Sequence, residues 1–252
     1  MSVTLTDLPL LYHTHHSLEA EDIPFWLAQS RQFPGPILEL GCGTGRVLLP
    51  LAETGARIVG VDKDAAMLAY LRANIPAART AQINLIRGDF RHFCLTSRFA
   101  LILLPCNTFS TLPIADRQIA LNRVRLHAQP GAYFVVSMPN PYLLEELPPI
   151  GEPEVEITFP HPLSGNTVQV VSEWQRRENG VEFQWHYDQI FPDGRTERQS
   201  LTAYHLHQEI DQIYAAFKKS GLFIAASYGD YKSRPFDPDE STDLILVAHT
   251  KE

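Results

Sequence analysis

The 252-residue chain is long enough for one α/β domain of generous size, or for one domain carrying an insertion. A hydrophobic share of 44% and a charged share of 20%, with no low-complexity run, exclude a disordered chain. The formal charge of −8 opposes a phosphate backbone, and no basic stripe interleaved with aromatics offsets it, so no nucleic-acid partner is expected.

In chain order, Met1–Leu10 lacks the basic and long apolar parts of a signal peptide, and no apolar run reaches membrane-spanning length. A cytoplasmic protein with no membrane partner is expected. His13, His15 and His16 sit on a leader read as exposed and mobile, and no metal site is expected there. Asp22 is read as the cap of a helix containing Ile23, Phe25, Trp26 and Leu27, with Pro24 in its first turn. Short apolar strands follow at Ile37–Leu40, Arg57–Val61, Gln82–Arg87, Ala100–Leu104 and Ala132–Met138, bounded by Gly, Pro, Asp or Asn. Helical spacing fills Gly45–Glu53, Asp64–Asn74 and Ala115–Ala128 between them, which is the pattern of a parallel sheet with crossover helices.

After Pro139-Asn140-Pro141 the pattern changes. Glu154–Phe159, Thr167–Arg176, Val181–Ile190 and Thr196–Leu206 read as strands separated by Glu178-Asn179-Gly180 and Pro192-Asp193-Gly194 turns, an inserted antiparallel sheet. A helix near Gln208–Ser220 and strands at Phe223–Ser227 and Asp243–His249 then complete the first sheet as a reversed edge hairpin. Three cysteines, Cys42, Cys94 and Cys106, form no CxxC pair and are read as buried thiols.

The chemistry-bearing residues start where the first strand ends. Gly41, Gly43 and Gly45 remove side chains from a turn, which lets backbone approach a ligand, and a helix beginning near Thr44 would aim free N–H groups at it. Glu39, two residues earlier, would oppose a pyrophosphate but favours a ligand bearing an ammonium or sulfonium group. Asp62 ends the second strand, where a carboxylate can accept bonds from both hydroxyls of a ribose, a feature that a nicotinamide cofactor would share. Asp89 ends the third strand, where it can accept from an adenine amino group while Phe90 packs on the base.

These stretches resemble the class I S-adenosylmethionine-dependent methyltransferases over roughly Ile37 to Asn140. Leu38-Glu39-Leu40-Gly41-Cys42-Gly43-Thr44-Gly45 matches their first motif, Val59-Gly60-Val61-Asp62 the second and Gly88-Asp89-Phe90 the third. Gln129-Pro130-Gly131 resembles the turn before their fifth strand, with Ala132 in place of a second glycine. The resemblance implies a Rossmann-like seven-stranded sheet with helices on both faces and an inserted antiparallel β cap. It implies S-adenosyl-L-methionine as cofactor, contacted by Glu39, Gly41, Cys42, Gly43, Gly45, Asp62, Lys63, Met67, Asp89, Phe90 and Pro105. Lys63 departs from the smaller polar residue common after the ribose acid. Met67, on a helical face with Leu68 and Leu71, and Phe90 can equally be core residues.

Tyr12, Asp22-Ile23-Pro24-Phe25 and Tyr228-Gly229-Asp230-Tyr231 are similar to segments of a bacterial small-molecule subgroup. The β insertion is loosely similar to those of sugar N-methyltransferases and glycine N-methyltransferase. The expected organisation is a lid and cofactor core at 1–142, a substrate cap at 143–206 and a completing segment at 207–252. The expected activity is in-line methyl transfer to a small-molecule amine or hydroxyl, by a monomer or homodimer. Tyr12, Asn107 and His205 are the catalytic candidates, with His15 and Tyr204 as further possible proton acceptors. Tyr228, Tyr231 and Arg234 are read as edge packing, and His205 and His207 as neighbours on one strand face. The alternatives are an NAD-dependent Rossmann oxidoreductase and a non-catalytic cofactor-binding protein.

Overall fold

In strand β1, Ile37–Leu40, all four side chains are buried, because the strand is covered on both faces. The computed structural model describes residues 7–251, so Met1–Thr6 of the leader lie outside the described residues. The chain divides into two compact units: Glu21–Glu145 with Leu206 onward, and the residues up to Ala20 with Glu146–His205.

The larger unit is built on seven strands. β2 (Ile58–Asp62), β3 (Ile83–Arg87), β4 (Phe99–Leu104) and β5 (Ala128–Pro139) join β1 in parallel, and β10 (Leu222–Tyr228) and β11 (Asp243–Thr250) complete the sheet. The order is β10-β11-β5-β4-β1-β2-β3, with β11 antiparallel between β5 and the edge strand β10. β5 starts four residues earlier than its apolar run predicts. Ala128 pairs with Phe99, and Gln129-Pro130-Gly131 then bulges out before pairing with β4 resumes at Tyr133, so the expected turn becomes an irregularity within the strand.

Strand alternation sorts this core into two layers. Leu38, Leu40, Ile102, Leu104, Val136, Met138 and Leu246 face one side, with α5 (Ile114–His127) and α7 (Ile210–Lys219) supplying Leu121, Val124, Ile213 and Phe217. Ile37, Leu101, Leu103, Val135, Ile245 and Val247 face the other, where α2 (Ile23–Gln32), α3 (Leu48–Glu53) and α4 (Ala65–Asn74) supply Phe25, Trp26, Leu48, Leu51, Leu68 and Leu71. A short helix α6, Pro141–Glu146, follows β5.

The smaller unit is a four-stranded antiparallel sheet, β6 (Ile150–Pro160), β7 (Thr167–Arg177), β8 (Gly180–Ile190) and β9 (Thr196–Leu206), with the two turns read from sequence joining β7 to β8 and β8 to β9. It also contains α1, Leu8–Leu18, which corrects the mobile-leader reading of His13–His16. Leu11 packs with Phe159, Val168, Val170 and Tyr187. His15, 3% exposed, bonds the Tyr187 hydroxyl at 3.2 Å and pairs with Glu156 at 3.2 Å. A histidine occupying the inward position of the helix disguises its apolar periodicity.

Candidate active site

The turn after β1 is held from beneath by β2. The Gly41 and Cys42 amides donate to the Val61 carbonyl at 2.8 and 3.2 Å, and the Gly45 amide to the Cys42 carbonyl at 2.8 Å. The Gly43 amide donates to Asp62 Oδ2 at 2.7 Å. Gly41, Gly43 and Gly45 all have left-handed φ, +67°, +50° and +83°, a region that other residues enter at a cost. A Cβ on Gly43 would meet nothing within 4 Å, so the backbone there is open to a ligand. The next helix begins only at Leu48, because Gly45 turns the chain out of helical geometry. The turn therefore presents a fixed, internally bonded backbone rather than the free helix amides expected from sequence.

Glu39 points from β1 beneath this turn. It is 1% exposed, and its Oε2 has no hydrogen-bond partner. Burial pushes its carboxyl well above the ordinary carboxylate range, with Arg46 opposing and Asp62 and Asp22 adding to the shift. A buried, half-satisfied carboxylate is stabilised by a cation, and the α-ammonium of S-adenosylmethionine is one. Together with the open side of Gly43, this fits that cofactor and disfavours a pyrophosphate.

Asp62 Oδ1 accepts the Asp64 amide at 2.8 Å, and Asp64 in turn caps α4 through the Ala66 and Met67 amides. Lys63 is exposed between them. Met67 is half-buried, off the face that buries Leu68 and Leu71. Cys42 is buried in the apolar layer with Val47 and Leu48, leaving only its backbone on the turn. The reading of three buried thiols is corrected, since Cys94 and Cys106 are exposed on loops.

Asp89 lies in the fork of Arg91, whose Nε is 2.9 Å from both carboxylate oxygens, and that hydrogen bonding lowers its pKa to about 2. Arg91 also pairs with Asp116. Phe90 is buried among Leu40, Val61 and Phe93. Pro105 is buried at the end of β4, and the chain then takes left-handed φ at two non-glycine residues in succession, Cys106 and Asn107, both at +59°. Such strain concentrates at functional sites. Asn107 Oδ1 is buried without a partner. Thr108, Ser110 and Thr111 hydroxyls bond back to the carbonyls of Pro105, Asn107 and Thr108.

Sequence reasoning missed a buried ion pair beside this turn. Asp22 does not cap α2 with its side chain. It accepts both Arg46 guanidinium nitrogens at 2.6 and 2.7 Å and the Trp26 indole N–H at 2.9 Å. Burial acts against the Arg46 charge, but the Asp22 carboxylate outweighs it and holds the guanidinium above its usual range. Arg46 Nη2 also lies 3.1 Å from Cys106 Sγ, linking the first turn to the one after β4. The only signal was the adjacency of Arg46 to the glycine turn. Tyr228 and Tyr231 pack on Phe25, and Tyr231 also on Trp26.

Tyr12 and His205 belong to the smaller unit. Tyr12 meets the His16 ring edge-on at 4.3 Å, and buried His205 meets Phe183 at 5.6 Å. His207 lies beyond the end of β9, paired with Glu145 at 3.0 Å, so the two histidines do not share a strand face.

Residues 37–131 match the family of methyltransferase domains. The cypemycin N-terminal methyltransferase of a Streptomyces species is 27% identical, covering 88% of this chain and 86% of that protein. The dTDP-3-amino-3,6-dideoxy-alpha-D-glucopyranose N,N-dimethyltransferase of Streptomyces fradiae is 28% identical, covering 82% and 77%. The chain is an S-adenosylmethionine-dependent methyltransferase. The fold agrees, since the structure of an S-adenosylmethionine-dependent methyltransferase from Clostridium acetobutylicum superposes with a TM-score of 0.77 at 14% identity, covering 92% of each chain. For this methyltransferase the nicotinamide alternative is set aside. Among its described residues, no helix is long and apolar enough to cross a membrane.

Proposed function

We propose that the chain methylates the nitrogen of a small-molecule amine. The observation that carries this is a surplus of carboxylate at the carboxyl edge of the sheet, where Glu39 is buried and Asp243 half-buried. Glu39 and Asp243 are both pushed upward by burial, and Arg46 is already engaged by Asp22. An acceptor bearing a cation is favoured in such surroundings over a neutral hydroxyl. Of the two relatives described above, one is named as an N,N-dimethyltransferase of an amino sugar and the other as an N-terminal methyltransferase, which supports the same reading.

S-adenosylmethionine supplies an electrophilic methyl group carried on a sulfonium. Glu39 would hold its ammonium, the Gly41–Gly45 backbone would lie against it, Asp62 would accept from its ribose, and Asp89 and Phe90 would flank its adenine. The protein's own share of the chemistry is alignment, exclusion of water and a deprotonated nucleophile. Asn107, on the strained turn after β4, is proposed to face the reacting groups. Tyr12 and His205 are proposed as acceptor-side residues, with residues 143–206 selecting the acceptor.

The test is incubation with S-adenosylmethionine and matched sets of amines and their hydroxyl counterparts, with products analysed by mass spectrometry. N-methylated products are expected. Products methylated only on oxygen would overturn the reading.

A further inference from the structure

One face of the larger sheet carries a polar row at its carboxyl edge. Alternation from Ile37, Val135 and Ile245, which all lie in the apolar layer under α2 and α3, puts Glu39, Ser137 and Asp243 on that same face. Ser137 stands directly opposite Ile245, and Asp243 begins the same strand, opposite Pro139. Ser137 is fully buried, and its Oγ has no partner other than the Tyr231 hydroxyl. The Tyr231 hydroxyl lies close to Ser137, and Asp243 is among the charges acting on it.

Among the described residues, the charges in and beside this row do not balance. Asp22, Glu39 and Asp243 supply three carboxylates, and Arg46, bound to Asp22, supplies one guanidinium. Asp243 has the Thr242 hydroxyl as its bonding partner, at 2.9 Å, and its charged neighbours are the acids Asp230 and Asp22. Asp230 is itself paired with Arg234. The ammonium of the methyl donor would answer Glu39 and would leave Asp243 unanswered.

We propose that Asp243, flanked by the Ser137 and Tyr231 hydroxyls, is the subsite that recognises the acceptor as an ammonium ion. This rests on the amine reading above and names the residue that enforces it. Before attack, one N–H bond of the bound ammonium breaks and an O–H bond forms on the Asp243 carboxylate, which frees the nitrogen lone pair. Burial holds the Asp243 carboxyl above its ordinary range, which suits it to take that proton.

The experiment uses the whole chain saturated with S-adenosylhomocysteine, with n-butylammonium and n-butanol as probes in thermal unfolding. The ammonium is expected to raise the melting temperature, and the alcohol is not. Asp243→Asn should weaken the apparent ammonium affinity roughly tenfold or more, the size of one lost charge-assisted contact, and keep the stabilisation by S-adenosylhomocysteine. Ser137→Ala should weaken it about threefold, and decides the matter if Asp243→Asn fails to fold. Equal ammonium shifts in wild type and variants, no shift in wild type, or loss of the S-adenosylhomocysteine effect in Asp243→Asn would overturn the assignment. The amine reading fails separately, through wild-type products methylated only on oxygen. N-methylated wild-type products combined with an unaffected Asp243→Asn would sink the subsite alone.

Discussion

The turns after β1 and β4 leave adjacent parallel strands at the same edge of the sheet, and both use left-handed backbone. The first enters that region at glycines, which occupy it freely, and is closed by main-chain bonds and Asp62. The second enters it at Cys106 and Asn107, for which such geometry costs about 1–3 kcal/mol each. The glycine turn therefore takes its shape without strain, whereas the other must be held by its surroundings. Arg117 does much of that holding. It is 2% exposed and donates to the carbonyls of Ser110, Leu112 and Leu206 and to Gln208 Oε1, with its guanidinium 5.4 Å from the Phe109 ring centre. No carboxylate is among those partners, and burial lowers its pKa to about 10.

The largest test of the contrast is Arg117→Met. Several buried carbonyls would lose their donor at about 1–3 kcal/mol each, so a loss of about 3–5 kcal/mol is expected in urea unfolding. Turnover should fall further than cofactor affinity, because the turn after β1 does not depend on Arg117. Unchanged stability would show that the second turn is held some other way.

Asp62→Ala strikes the first turn instead. It removes the Gly43 contact and the proposed ribose acceptor, and calorimetry should show S-adenosylhomocysteine binding weakened by about tenfold to a hundredfold, or roughly 1.5–3 kcal/mol. A folded variant with wild-type affinity would exclude the ribose role.

Exchanging the backbone chemistry of the two turns sharpens the contrast. Gly43→Ala should cost about 1–2 kcal/mol, since alanine has no easy access to φ of +50°. Cys106→Gly should stabilise by about 0.5–1 kcal/mol through relief of strain, offset in part by glycine's greater freedom when unfolded. Denaturation midpoints of the two variants moving in the same direction would contradict the strain account.

The smallest effect concerns Asp89. Its folded pKa of about 2 lies below the unfolded value of about 3.9, so the Arg91 contact stabilises above that unfolded value and is lost as pH falls toward 2. The pair is 26% and 29% exposed, so solvent screening keeps the expected cost of Asp89→Asn under about 1 kcal/mol at neutral pH. The gap between variant and wild type in urea midpoint should close on acidification from pH 5 to pH 2.

Strands of both sheets were legible because their alternation and bounding turn residues are local properties of the chain. Glu39, Asp62 and Asp89 were legible as a spaced set at strand ends. The pairing of Asp22 with Arg46 was not, since nothing local distinguishes an acid that caps a helix from one that reaches 24 residues ahead. Nor was the left-handed geometry of Cys106 and Asn107 in succession, since asparagine enters that region more readily than most residues but cysteine has no preference for it. α1 escaped because its inward positions, Leu11 and His15, include a polar ring whose partners come from β6 and β8.

That helix also sets a constraint in time. Tyr187, which bonds His15, lies 172 residues further along the chain, a delay of roughly 10–30 s at ordinary rates of synthesis. An isolated helix of 11 residues is marginal in water. The helix therefore waits, unsupported, for strands of its own small core that are made much later.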